Sequence, residues 1–146
     1  MISEKGLFLV EARRFLEPLW LKAHASWGKI PSCLSSHMCR YSCIFLKQIL
    51  VNDFEEKWEI SSGRPFNVKD RYGYKDSNHI WHDHSWLQMD NLCIDITADQ
   101  FGGKQIYYGK LPKSIYKANL TEKDTKASLA TLESRVKGWI NAWYNK

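Results

Sequence analysis

Apolar residues recur along this chain with helical spacing, then with strand alternation, then with helical spacing again. Phe8, Phe15, Leu19 and Trp20 fall near one face of a helix predicted over residues 7–27, in which Pro18 forces a kink or break. Tyr41, Ile44, Phe45, Ile49 and Leu50 repeat that period, so a second helix is predicted through Val51, with Ser35 or Ser36 as N-cap and Pro31 shortly before it. Residues 54–60 are apolar-spaced but too short to assign. Residues 61–77 are rich in Gly, Pro, Asp, Asn and Lys and read as a long excursion able to line a cleft. Strands are predicted at 79–89 and 92–97, joined by Asp90-Asn91 as a two-residue turn, then a Gly102-Gly103 turn and a strand through Ile106–Tyr108. The tail opens on a capping-box-like Thr121-x-x-Asp124 and sets Leu129, Leu132, Val136, Trp139, Ile140 and Trp143 at helical spacing, a core-packing stripe. This order of elements predicts an α+β fold in a single domain spanning residues 1–146, without internal repeats.

Composition narrows the partners. With 146 residues, 44% hydrophobic and 14% aromatic, the chain can bury one core. The net charge of +5 is spread out, with lysines at 104, 110, 113, 117, 123 and 126 in a mostly polar region. Seven Trp and seven Tyr on a basic chain suit nucleic acid, but a solvated surface over a Trp-rich core is the preferred account. A basic face equally attracts an acidic protein, whether substrate or inhibitor. No apolar stretch reaches membrane-spanning length, and Leu7–Val10, ended by Glu11, is too short for a signal-peptide core. Cysteines at 33, 39, 43 and 93 form no dense disulfide framework, so folding in a reducing cytoplasm is expected.

Candidate chemistry sits on the predicted hairpin. Side chains alternate with period two, so His84, Trp86, Gln88, Cys93, Asp95 and Thr97 share one face, while Leu87, Leu92, Ile94 and Ile96 fill the other. With the turn at Asp90-Asn91, Trp86 lies opposite Asp95, and Asp95 is a diagonal neighbour of His84. A carboxylate there holds one imidazole nitrogen and leaves the other free to act as a base. Upstream, Cys39 falls in the first turn of the second helix, where unpaired amides, the helix dipole and Arg40 favour a thiolate. Cys33, Cys43 and Cys93 read as inert, Cys43 as a small buried apolar residue.

Cysteine at a helix start, His-aromatic on a strand and Asp on the next strand resemble the papain-like and transglutaminase-like cysteine enzyme superfamily. Met38-Cys39-Arg-Tyr-Ser with Phe45-Leu46, His84-Ser-Trp-Leu, and Ile94-Asp95-Ile-Thr with Gln100-Phe101 look like the small papain-like protease domains of bacterial toxins, including effectors delivered into competing bacteria. The resemblance covers about residues 31–103. It implies a papain-like core, with the nucleophile helix packed on a small antiparallel sheet between flanking helices. It also implies Cys39 as nucleophile, His84 as general base and Asp95 as orienting residue, with no cofactor or metal. An intracellular protein substrate, an inhibitory immunity protein and delivery from the bacterial cytoplasm without a classical signal follow from the same likeness. One departure is plain: papain-type enzymes carry a glutamine shortly before the nucleophile, and none precedes Cys39. Its amide supplies one oxyanion donor; Ser35, Ser36, His37 and Trp27 are candidates for the second, and Ser36, Trp86 and Gln100 are the expected cleft residues.

Other readings stand beside this one. A thioester at Cys39 resolved by an amine gives a transglutaminase, and attack on a glutamine gives a deamidase. His79, His82 and His84 lie within six residues, with His82 and His84 expected on one strand face, as a zinc hydrolase would need. That reading leaves Cys39 and Asp95 unused. A basic, aromatic-rich binding module is the non-enzymatic alternative.

Overall fold

A computed structural model describes residues 3–146. The elements run α1 (Glu4–Ser26), α2 (Cys39–Phe54), β1 (Glu59–Gly63), β2 (Gly73–Lys75), β3 (Trp81–His82), β4 (His84–Met89), β5 (Leu92–Asp95), a 3₁₀ turn (Ala98–Phe101), β6 (Tyr107–Lys110), β7 (Tyr116–Lys117), α3 (Lys126–Ala130) and α4 (Glu133–Tyr144). The fold is α+β, with two antiparallel sheets in the orders β1-β4-β5-β6 and β3-β2-β7. No helix among the described residues is long and apolar enough to cross a membrane.

The central strands of the larger sheet are buried on both faces, while the outer strand β6 is partly exposed. Leu87 and Ile94, paired across β4 and β5, join Ile60 in a core with Leu9, Leu16 and Trp20 of α1, Phe45, Leu46 and Ile49 of α2, and Val136 and Trp139 of α4. On the opposite pleat, Trp86 and Cys93 pack with Tyr74 and Tyr116 of the smaller sheet. The hairpin register is the predicted one: Met89 pairs with Leu92, Gln88 with Cys93 and Leu87 with Ile94, around Asp90 at φ 54°. Its outer face is therefore a second core rather than a solvated surface.

Several elements differ from the sequence pattern. Pro18 removes one amide donor, yet α1 runs unbroken to Ser26, because Leu9, Ala12, Leu16, Trp20 and Ala23 anchor its buried face on both sides of the proline. Neither Ser35 nor Ser36 caps α2; Met38 stands at that position without a side-chain bond, and the Ser35 hydroxyl is engaged by Asp99 Oδ1 at 2.6 Å. The strand expected at 79–89 is two strands in different sheets, with Asp83 between them. The excursion at 61–77 contains the end of β1 and all of β2. The capping box forms, with Thr121 N donating to Asp124 Oδ2 (2.8 Å) and Asp124 N to Thr121 Oγ1 (3.3 Å), but the helix beyond is split into α3 and α4.

The sheets meet backbone to backbone. Gly63, paired with His84, leaves no room for a side chain: a Cβ there would lie 2.2 Å from Gly73 N and Lys117 O. Gly73, at φ +105°, would place a Cβ 1.9 Å from His82 O.

Candidate active site

His84 opens β4 and Asp95 closes β5, so the register sets them diagonally across the hairpin. His84 Nε2 lies 2.7 Å from Asp95 Oδ2, with both side chains buried. The Tyr116 hydroxyl donates to Oδ2 of the same carboxylate at 2.7 Å, and Thr97 donates to Oδ1 from its amide (3.0 Å) and hydroxyl (3.3 Å). Burial opposes charge on Asp95, but the His84 charge and these bonds outweigh it and hold the carboxyl below its ordinary range. Burial likewise opposes protonation of His84, yet Asp95, with a smaller contribution from Cys39, raises its pKa from 6.5 to about 10. Burial, reinforced by Asp95, pushes the Tyr116 hydroxyl far up, so it remains a donor.

The second ring nitrogen of His84, Nδ1, is enclosed and has no hydrogen-bond partner. An orphaned polar atom in such a place is costly and calls for a reason. The Cys39 thiol is near enough to act on the ring's proton affinity. Cys39 is the first residue of α2 and is partly exposed. The first bond inside α2 runs from Ser42 N to Met38 O (2.9 Å), which leaves the amides of Cys39, Arg40 and Tyr41 at the unpaired end of the helix.

Cys39 lines an open cleft of about 450 Å³ with His37, His82, Gln100 and Phe101, among others. Gln100 comes from the 3₁₀ turn; its Oε1 accepts from His37 N (3.3 Å) and its Nε2 donates to Thr97 O (3.0 Å). Phe101 stacks on His82 (centroids 4.3 Å, 13°) and meets His84 edge-on at 5.2 Å. His82 Nε2 is bonded to Asp76 Oδ2 at 2.7 Å. Of the residues expected in the cleft, only Gln100 is there. Trp86 is buried beneath His84, 6.3 Å between ring centroids, because its pleat faces Tyr116. Ser36 lies in the preceding turn and does not line the cleft.

Two features have no counterpart in the sequence reading. Tyr116 reaches Asp95 from β7, and nothing in its polar surroundings marks it. The second is a buried anchor for the loop before Cys39. Arg13 donates to both oxygens of Asp99 (2.9 and 2.8 Å) and to Ile96 O and Gln105 O (both 2.8 Å). Asp99 in turn accepts from Ser35 and, at 3.6 Å, from Cys33. The network ties α1, the segment after Asp95 and residues 33–35 together behind the site. His82 and His84 belong to different sheets and each holds its own carboxylate, and no group of three or more His, Cys, Asp or Glu among the described residues is arranged to hold a metal ion.

Compared with protein-family models, curated proteins and solved structures, the chain has no match.

Proposed function

We propose that the chain is a papain-like cysteine peptidase in which Cys39 is the nucleophile, His84 the base and Asp95 the orienting residue. One observation carries the reading: His84 is fully enclosed, its Nε2 is tied to Asp95, its other nitrogen is unpartnered, and Cys39, the one cysteine among the described residues that lines the cleft, acts on the same ring. Nucleophile at a helix start, with base and orienter on adjacent antiparallel strands, supports a papain-like core. In the reaction, the proton shared by Cys39 and His84 already rests on Nδ1 before the attack, in keeping with the raised proton affinity of the ring, and the sulfur so freed attacks the scissile carbonyl carbon. The oxyanion is met by the Cys39 amide and by Gln100, whose Nε2 has a second hydrogen uncommitted. His84 returns the proton to the departing amine, leaving a thioester. Water, giving its proton to Nδ1, then releases the acid, and the sulfur departs beside the reprotonated His84, as at the start.

The small-toxin likeness extends the proposal to an antibacterial effector with an intracellular protein target, restrained by a partner that covers the Cys39 cleft. The test is mass spectrometry of whole-cell proteins after brief expression of the chain beside Cys39→Ala. New termini that depend on Cys39 are expected. A one-dalton gain on glutamine would mean deamidation, and crosslinks would mean transamidation, each overturning the peptidase reading.

A further inference from the structure

A second depression, of about 770 Å³, is lined by Trp81, the neighbour of cleft residue His82 on β3. Lys69, Arg71, Lys75 and Lys117 line it, and among the described residues none of these cations is in an ion pair. Lys75 and Lys117 both place Nζ 5.9 Å from the centroid of the Trp81 ring. Two like charges gathered at one indole leave a field that an anion would relieve. The nearest carboxylate on this wall, Asp70, is occupied by the amides of Phe66 (2.9 Å) and Asn67 (3.2 Å).

The same indole borders a groove of about 530 Å³ in which Pro65, Val68 and Ile80 supply apolar surface and Asn67, Asp70 and His79 a polar margin. Val68 is 102% exposed, Phe66 64% and Ile80 55%, a concentration of aliphatic and aromatic surface on one short loop and its neighbour. Exposed aliphatic side chains offer nothing to a phosphodiester backbone but suit leucine or phenylalanine of a peptide. β3 is also an edge strand of its sheet, and it carries Trp81 toward this surface and His82 toward the cleft.

We propose that the Trp81 surface docks an acidic segment, punctuated by apolar residues, of the protein substrate whose scissile bond lies at Cys39. The assignment of the partner as substrate rests on the peptidase reading; the binding itself does not. Glutamate or aspartate side chains sit among the four cations, apolar side chains occupy the Val68–Ile80 groove, and the chain continues along β3 past His82 to the nucleophile. Docking of this kind holds the substrate at the cleft and raises the effective concentration of the bond to be cut.

The test uses the full chain carrying Cys39→Ala and a short fluorescein-labelled peptide in which glutamates alternate with leucine and phenylalanine. Fluorescence anisotropy should register binding that weakens with salt, and that weakens about tenfold or more when Lys75→Gln and Lys117→Gln are combined. Both lysines extend from the sheet surface, so the double variant leaves Trp81 and the fold in place; far-ultraviolet circular dichroism verifies this. A Glu→Gln version of the peptide should bind as weakly as the double variant does. Absence of binding, equal affinity for wild type and double variant, tighter binding of a single-stranded oligonucleotide, or occupation of the surface by a second copy in sedimentation would each overturn the proposal. Failure here is distinct from failure of the peptidase reading, because iodoacetamide labelling of Cys39 in the Lys75→Gln/Lys117→Gln chain reports the active site alone.

Discussion

Asp95 is 3% exposed and remains charged only because His84, Tyr116 and Thr97 all point hydrogen-bonding groups at it. Tyr116→Phe removes one of these donors and is expected to cost about 1–3 kcal/mol of stability. On the peptidase proposal it also moves the acid limb of the pH–rate profile upward, since the carboxyl then protonates more readily; a packing role alone would leave that limb in place. On the peptidase proposal, Asp95→Asn should lower turnover by about four orders of magnitude, as the equivalent change does in a Ser-His-Asp triad, while circular dichroism stays native. The pair also makes stability depend on pH. Folded His84 holds its proton up to about 10, whereas the unfolded chain releases it near 6.5, so the contribution is complete below 6.5 and is lost as pH rises toward 10. Asp95 is displaced downward, so its share is lost only as pH falls through a value below the ordinary carboxyl range. Melting temperatures should therefore decline across the alkaline window in the wild type, with a flatter profile in Asp95→Asn. Among the thiols, burial pushes Cys43 and Cys93 well up, and Cys33 is engaged with Ser35 and Asp99. Iodoacetamide at neutral pH is expected to label Cys39 first, and faster labelling of Cys43 would move the nucleophile one turn along α2.

At the scale of elements, the hairpin was readable because two signals agreed. Period-two alternation named the faces, and Asp90-Asn91 fixed the register, so His84 and Asp95 fell together. The start of α2 was readable from its apolar spacing, but not from its cap, because Ser35 answers a carboxylate sixty-four residues away instead. The anchor behind the site was hidden for a related reason. Arg13 stands on the buried face of α1 at 5% exposure, and a charge within a helix reads as solvated until its partner is placed. Arg13→Met leaves the partly buried Asp99 without its guanidinium, held only by Ser35 and Cys33, and should cost about 1–3 kcal/mol, measured as a shift in the urea midpoint. Arg13→Met combined with Asp99→Leu should recover much of that loss while still freeing residues 33–35, so any activity still missing would belong to the loop.

For the whole molecule, the α+β class followed from helical spacing at both ends and alternation in the middle. The smaller sheet did not. Its strands are two or three residues long, too short for alternation to register, and β2 finds its partners Trp81–His82 and Tyr116–Lys117 through loops. Tyr116 was hidden with it. If the chain acts as an effector, inducible cytoplasmic expression should slow bacterial growth, and Cys39→Ala at equal protein level should not. Equal growth of both strains would favour a housekeeping peptidase or a binding module.

The glycine contact between the sheets has a consequence for how this sequence can change over time. Substitution of Gly63 or Gly73 by alanine is among the smallest steps available to a drifting gene, yet here each would wedge a methyl group between strands that already touch. The displacement would fall on the strand positions beside His82 and His84, so the imidazole would be carried off its carboxylate without any active-site residue having altered. Lineages that keep the His84–Asp95 pair in place must therefore keep these two achiral positions as strictly as the pair itself, and on the peptidase proposal a chain that has lost either of them has recorded its retirement from that chemistry.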